Sequence, residues 1–74
     1  MLRKHSISIR GHRTSFSLEE DFWVELQNIA KIRQISLARV ITEVDEARSP
    51  EQNLSSALRV FVLSALKQTT KSKP

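Results

Sequence analysis

The sequence predicts a mostly α-helical chain with one short β-strand, which pairs with the same strand of a second copy in an intertwined homodimer. Three observations predict this fold class. Residues 13–18 alternate strictly between polar and apolar side chains, and a helical period begins directly after them. Three helical segments follow, and the last is apolar on most of its circumference. With only 74 residues, the chain forms one domain whose core would be marginal alone.

The predicted strand has one face suited to a core and one that carries a guanidinium and two hydroxyls. The apolar face consists of Thr14, Phe16 and Leu18, and the polar face of Arg13, Ser15 and Ser17. The backbone N–H and C=O groups of the strand need hydrogen-bond partners. Because no other segment has an equally strong strand pattern, the simplest partner is the same strand of another copy, paired antiparallel about a two-fold axis. The resulting two-stranded antiparallel ribbon would fit the DNA major groove.

The segment before this strand is basic and only partly β-like. We expect residues 1–5 to form a flexible basic arm, and residues 6–12 to extend the strand or form a small hairpin. The alternating residues here are Ser6, Ile7, Ser8 and Ile9. Gly11 interrupts the pattern and marks a bulge, a bend or a tight turn.

Three helices are predicted after the strand, over about residues 19–33, 37–47 and 54–68. The stretch from Ser17 to Glu20 also matches a capping box, which would compete with Ser17 as a groove-facing residue, so both interpretations stay open. Ser36 is the natural N-cap of the second helix, and Asn53 or Ser55 caps the third.

The apolar positions of the strand and helices give the predicted dimer core. It consists of Phe16, Leu18, Phe22, Leu26, Ile29, Val40, Ile41, Val44, Leu58, Phe61 and Val62. A 74-residue monomer could hardly cover the third helix, which is a second argument for a dimer. The domain is then predicted to span residues 6–68, followed by a disordered basic tail over residues 69–74.

Positive charge is concentrated at the two ends of the chain. Residues 1–18 hold four basic side chains and no acid, for a net charge of +4, whereas residues 19–53 have −4 and residues 54–74 have +4. This distribution suits a polyanion partner, although basic ends can also be solvated tails.

The second and third helices lack acids in their first turns, and Arg39 opposes the dipole of the second. A phosphate on the free N–H groups there would remove that conflict; the alternative is an Arg39 that bends into solvent. The predicted phosphate contacts are Arg10, His12, Ser36, Leu37, Arg39, Ser55 and Ser56.

The residue inventory argues against an enzyme, a metal site and a cofactor. The chain has no cysteine, which excludes disulfides and thiolate metal sites, and one glycine, which excludes a Gly-rich phosphate loop. His5 and His12 have no nearby carboxylate to orient them.

No apolar run approaches the length of a membrane span, and no signal-peptide pattern opens the chain, so we expect a cytoplasmic protein.

The order of a strand, two helices and a Ser at the start of the second helix resembles the ribbon-helix-helix family of bacterial DNA-binding proteins, which includes the Arc and methionine repressors. The stretch Arg-Thr-Ser-Phe-Ser-Leu-Glu-Glu-Asp-Phe-Trp-Val-Glu-Leu is similar to that family's strand-to-helix junction. Residues 11–15 together with residues 53–63 resemble a variant branch with a third helix. In this sequence, the turn between the first and second helices has Gln34-Ile35 before Ser36, where the family usually has a Gly.

The resemblance implies a homodimeric, sequence-specific transcriptional regulator, for example a repressor, with double-stranded DNA as its partner. It places Arg13, Ser15 and Ser17 on base edges, and the start of the second helix, Ser36, Leu37 and Arg39, on phosphate. Two alternatives keep the fold: an antitoxin that neutralises a toxin, and a protein-interaction module that offers its third helix to another protein.

Overall fold

The computed structural model describes the backbone of residues 1–71 and the side-chain surroundings of residues 1–68. Two strands precede three helices. The elements are β1 (Leu2–Ile9), β2 (His12–Glu19), α1 (Glu20–Arg33), α2 (Leu37–Ala47) and α3 (Leu54–Lys71). The predicted fold class is confirmed: a two-stranded antiparallel sheet is followed by helices, with the third helix at the C-terminal end.

The partner of the predicted strand corrects our expectation, because it lies in the same chain. β1 pairs antiparallel with β2 along its whole length, from Leu2 opposite Glu19 to Ile9 opposite His12. Residues 2–5, expected as a flexible arm, are therefore part of a strand. The nearest strand along the chain meets β2's need for backbone partners without a second copy.

The turn between the strands explains why the hairpin closes within one chain. Only Arg10 and Gly11 separate β1 from β2, and their φ angles are 52° and 77°. Positive φ at both central residues is the requirement of a type I′ turn, whose twist matches that of paired strands. Gly11 thus marks a tight turn, one of the three alternatives.

α1 starts without the capping box that the sequence suggested. Its N-cap is Glu19, and no described side chain caps it, because Ser17 still belongs to β2. α1 ends at Gln34, which has a left-handed backbone with φ 58° and ψ 41°. The N–H of Gln34 donates to the Lys31 carbonyl and that of Ile35 to the Ala30 carbonyl, both at 3.1 Å, which is a Schellman motif.

The N-caps of α2 and α3 are those that the sequence indicated. The Ser36 hydroxyl accepts the backbone N–H of Arg39 at 3.0 Å. The Asn53 side-chain oxygen accepts that of Ser56 at 2.8 Å, which selects Asn53 over Ser55. α3 continues to Lys71, three residues beyond the predicted end and into the predicted tail, whereas residues 72–74 of that tail lie outside the described residues.

One hydrophobic core forms between the hairpin and the three helices. Its buried members are Phe16, Leu18, Leu26, Ala30, Val40, Ile41, Val44, Leu54, Ala57, Leu58 and Val62. All residues of the predicted dimer core belong to it, except Phe22, Ile29 and Phe61, which are partly buried against it. A single chain therefore covers much of α3, contrary to our expectation, although Val60 and Leu63 remain 54% and 51% exposed.

Three aromatic rings pack together between the hairpin and α1. The imidazole of His5 stacks on Trp23 with ring centroids 3.7 Å apart and ring planes inclined by 10°. Phe16 of β2 lies beside both rings, with its centroid 5.6 Å from that of His5. This packing assigns His5 to the inner face of the sheet and holds the first strand against the helical layer.

Candidate nucleic-acid interface

The outer face of the hairpin gathers polar side chains from both strands. The side chains of Arg13, Ser15 and Ser17 point away from the core, because they alternate with the inward-facing Phe16 and Leu18. The register places three residues of β1 directly opposite them. The cross-strand pairs are Lys4 with Ser17, Ser6 with Ser15, and Ser8 with Arg13.

The members of this outer face are two cations and four hydroxyls. Ser6 and Ser15 lie close enough to share a hydrogen bond, with 3.3 Å between their hydroxyl oxygens. Lys4, Ser8 and Arg13 are exposed and take part in none of the hydrogen bonds or ion pairs of the described residues. Their donors are therefore available to a ligand.

The two strands contain a single acid, Glu19, at the far end of β2. The guanidinium of Arg59 on α3 holds this carboxylate in two contacts, Nε to Oε1 at 2.9 Å and Nη2 to Oε2 at 3.4 Å. The hydrogen bond from Arg59 keeps the pKa of Glu19 below its ordinary value, so the carboxylate stays charged and paired. The outer face consequently carries the unpaired positive charges of Lys4 and Arg13 and no unpaired negative charge.

The start of α3 closes part of the free edge of β2. The Ser55 hydroxyl accepts the backbone N–H of Ser17 at 3.0 Å in a part-buried contact. Since this N–H points to α3, it is directed away from β1. Ser55 was predicted to contact phosphate; because its hydroxyl is engaged here, we assign it to positioning β2.

Two of the predicted phosphate contacts lie at the turn end of the hairpin. His12 is exposed at the first position of β2. Arg10 forms an ion pair with Glu46 near the end of α2, so its charge is already partnered in this state. The turn residue therefore ties the hairpin to α2, a role that the sequence did not suggest.

The start of α2 keeps the arrangement expected of an anion site only in part. Ser36 caps the helix through its hydroxyl, and α2 has no acid in its first turn. Arg39 is 71% exposed and lies 3.9 Å from the Glu43 carboxylate, which is also held by Arg33 at 2.9 Å. Glu43 thus offsets the unfavourable placement of Arg39 in the first helical turn.

Sequence reasoning missed the contribution of β1 to the outer face. Lys4, Ser6 and Ser8 were not among the predicted contacts, although Ser6 and Ser8 were seen to alternate with Ile7 and Ile9. That alternation, continued backward to His5 and Lys4, was the available signal. Gly11 interrupts the alternation before β2, and the prediction therefore went no further than an extension of the strand or a small hairpin over residues 6–12.

A cavity of about 340 Å³ lies between α2 and α3. Its wall is mainly apolar and includes Val44, Val60 and Phe61. Arg48 also lines it, but its guanidinium is occupied by Asp45 at 2.8 Å and by the Gln52 carbonyl at 2.6 Å. Within the described residues, no group of three or more His, Asp or Glu side chains could hold a metal ion.

Comparison with protein-family models matched residues 2–66 to the ribbon-helix-helix domain. The chain belongs to the ribbon-helix-helix family. Comparisons with curated proteins and with solved structures gave no significant match. The matched region begins with β1 and ends within α3, so both the hairpin and the third helix belong to the family's domain.

Membership places the chain in a functional class. Ribbon-helix-helix domains are non-enzymatic folds that generally bind DNA, typically as dimers, and serve as transcription regulators or antitoxins. None of the helices in the described part of the chain is long and apolar enough to span a membrane.

Proposed function

We propose that this ribbon-helix-helix protein is a homodimeric, sequence-specific transcriptional regulator that inserts the outer face of its hairpin into the DNA major groove. Its place of action is the bacterial cytoplasm, where the chromosome lies. The observation that carries the proposal is the exposed sheet face with Arg13, Ser15 and Ser17 and without an unpaired acid. A two-stranded ribbon has the width that the major groove admits.

Arg13 is the main reader of base identity in this proposal. Its guanidinium is exposed and unpaired, and it can donate two hydrogen bonds to the O6 and N7 acceptors of guanine. One such contact is worth about 1–3 kcal/mol of discrimination against the wrong base. Ser15 and Ser17 donate or accept at neighbouring base edges, since a hydroxyl can do either.

Backbone contacts to phosphate fix the register of the ribbon on the duplex. The free N–H groups at the start of α2, around Leu37, together with the Arg39 guanidinium, supply one such contact. The corresponding N–H groups at the start of α3, next to Ser56, supply another. His12 and Arg10 flank the groove, and Arg10 reaches phosphate by exchanging its Glu46 partner.

Fluorescence anisotropy with labelled duplexes tests the proposal. Wild-type protein should bind DNA from its own promoter more tightly than random duplex, and binding to both should weaken steeply between low and moderate salt. Arg13→Ala should lose the promoter preference and remain folded. Lys31→Ala, which removes a cation from the exposed side of α1, should bind as wild type does. Equal binding by Arg13→Ala and wild type would contradict ribbon readout.

A second candidate is an antitoxin or protein-interaction role for the same fold, and one observation favours it. Val60 and Leu63 on α3 stay half exposed, and Val60 borders the apolar cavity next to α2. Such a surface suits a protein partner. Co-expression with the product of the adjacent gene tests it: relief of toxicity that depends on Val60 and Leu63 would support an antitoxin, and unchanged growth would contradict it.

A further inference from the structure

We propose that α3 positions the C-terminal end of the DNA-reading strand, and that its residues Ser55 and Arg59 act through Ser17 to set which bases are preferred there. The inference rests on the proposed DNA-binding function and deepens it, because it adds two residues that determine specificity without contacting a base. Both residues lie on α3, outside the strand whose side chains face the groove.

Ser17 is the residue of the outer face of β2 that contacts α3. It is half-buried, whereas Ser15, two residues earlier, is exposed. The backbone N–H of Ser17 donates to the Ser55 hydroxyl at 3.0 Å. Directly beyond it, the Glu19 carboxylate accepts a hydrogen bond from the Arg59 guanidinium at 2.9 Å. α3 therefore holds the end of β2 at two points, one at Ser17 and one just after it.

The spacing of these two contacts suits a helix that runs along a strand. Ser55 and Arg59 are separated by four residues, which corresponds to about 6 Å along a helix axis. Ser17 and Glu19 are separated by two residues, which corresponds to about 6.6 Å along an extended strand. Because the two distances agree, both contacts form together. Loss of either contact should therefore weaken the other.

The Ser17 N–H has a competing acceptor, which is why its partner matters. In a capping box, Ser17 would be the N-cap of α1, and the Glu20 side chain would accept this same N–H. That state would take Ser17 out of β2 and away from the outer face. In the structure the N–H is bonded to Ser55, and α1 starts after Glu19 without a side-chain cap from the described residues. The Ser55 hydroxyl thus stabilises the state in which Ser17 stays on the outer face.

The contact with α3 leaves room for a second copy on the same edge of β2. Successive backbone N–H groups of a strand point to opposite edges, so those of Arg13 and Ser15 face the same side as that of Ser17. In the described part of the chain, α3 hydrogen-bonds the backbone of this edge only at Ser17. A strand of a second copy can therefore pair at Arg13 and Ser15, while α3 holds the end of the strand.

Ser55→Ala tests the inference, with Ser64→Ala as its matched control. Ser64 is an exposed serine on the opposite side of the same helix, so the control makes the same chemical change away from β2. Arg59→Gln is paired with Lys67→Gln, because both changes remove one positive charge from α3, and it gives the same readout if Ser55→Ala does not fold. Base preferences of these variants and of Ser17→Ala are read by selection from randomised duplexes. Circular dichroism checks folding, and sedimentation velocity checks assembly.

The expected result is a change of base preference confined to one end of the strand. Ser17→Ala defines the base positions that Ser17 reads. At these positions, Ser55→Ala and Arg59→Gln should lose about two- to tenfold of the discrimination, the range of one neutral hydrogen bond, while preference at the positions read by Arg13 stays unchanged. Both controls should keep the wild-type preference. Ser55→Ala should add no further loss in a Ser17→Ala background, because a positioning residue acts through the side chain that it positions.

Other outcomes would overturn the inference in distinguishable ways. If Ser55→Ala and Arg59→Gln weaken binding equally at all base positions or leave it unchanged, the proposed function stands and α3 has no part in base selection. The same holds if Ser17→Ala keeps the wild-type preference, since α3 would then have no reader to position. A further loss in the Ser17→Ala background would mean that Ser55 contacts DNA directly. If folded wild-type protein binds no duplex, the proposed function and the inference both fail.

Discussion

Gln34 occupies a left-handed backbone position that glycine usually takes at the end of a helix. Its φ of 58° places the side chain against the neighbouring carbonyl, a conformation that disfavours residues other than glycine by about 1–2 kcal/mol. The turn nevertheless forms, because the Schellman hydrogen bonds and the packing of Ile35 against the core hold it.

Gln34→Gly should therefore stabilise the protein by about 1 kcal/mol. For a domain of this size, that corresponds to a rise of roughly 4–8 °C in Tm, measurable by thermal denaturation. Gln27→Gly is the matched control, since it makes the same change at an exposed position within α1 and should lower stability by about 1 kcal/mol. Changes of the same sign in both variants would show that backbone conformation at Gln34 is not the cause.

The contact between Glu19 and Arg59 makes stability depend on pH. The pKa of Glu19 is lowered in the folded state, chiefly by the hydrogen bond from Arg59. A carboxylate with a lowered pKa contributes stability above its ordinary pKa of about 4.3, and that contribution is lost as the pH falls through the folded-state value.

Glu19→Gln should accordingly flatten the fall in Tm that begins as the pH drops below the ordinary pKa of a glutamate. At pH 7 the variant should be less stable than wild type, and the difference should shrink as the pH falls through the lowered pKa of Glu19. Glu51→Gln in the exposed loop before α3 is the control and should keep the wild-type pH profile. A wild-type slope in Glu19→Gln would assign the acid sensitivity to other carboxylates.

At the scale of the elements, the caps of α2 and α3 show how local rules set the boundaries. Ser36 and Asn53 each accept the N–H of the residue three positions later. Both caps were predictable, because N-capping depends only on neighbouring residues. At α1 the sequence left two alternatives for Ser17, and pairing of β2 with β1 selects the strand over the capping box.

Asn53→Ala should destabilise the protein by about 0.5–2 kcal/mol, because the Ser56 N–H loses its acceptor at the start of α3. Urea denaturation measures the change. Asn53→Ser should restore most of the stability, since serine is a comparable cap, and Ser49→Ala in the preceding loop should have little effect. Full stability of Asn53→Ala would mean that water or another group replaces the cap.

The hairpin marks where prediction from the sequence reached its limit. The alternation in β2 was strong enough to assign its faces, and the structure places Arg13, Ser15 and Ser17 on the outer face as expected. The alternation in β1 was seen only over residues 6–9, and residues 1–5 were expected to be a flexible arm. The stack of His5 on Trp23, which packs the start of β1 against α1, joins residues far apart in the chain and cannot be predicted from local periodicity.

For the whole molecule, the question of assembly rests on α3. A single chain buries Leu58 and Val62, so the apolar circumference of the helix does not by itself demand a dimer. Val60 and Leu63 nevertheless stay half exposed on α3. We expect these two side chains to lie in the homodimer interface of the proposed regulator.

Val60→Lys combined with Leu63→Lys should shift the protein from dimer to monomer in sedimentation-velocity experiments. Loss of two half-buried apolar side chains and introduction of like charges across a two-fold axis both oppose association. Ile32→Lys is the control, because Ile32 is an exposed apolar residue of α1 outside the proposed interface. Dimers that persist in the double variant would move the interface away from α3.

The closure of the hairpin by Arg10 and Gly11 has a consequence for how the protein responds to its own concentration. A ribbon built from two chains would form by a bimolecular reaction and would come apart on dilution. In this chain, hairpin formation is unimolecular, so mass action governs only the association of chains. On dilution, each chain released from the proposed dimer would keep its hairpin paired, and concentration would set only the fraction of chains that are dimeric.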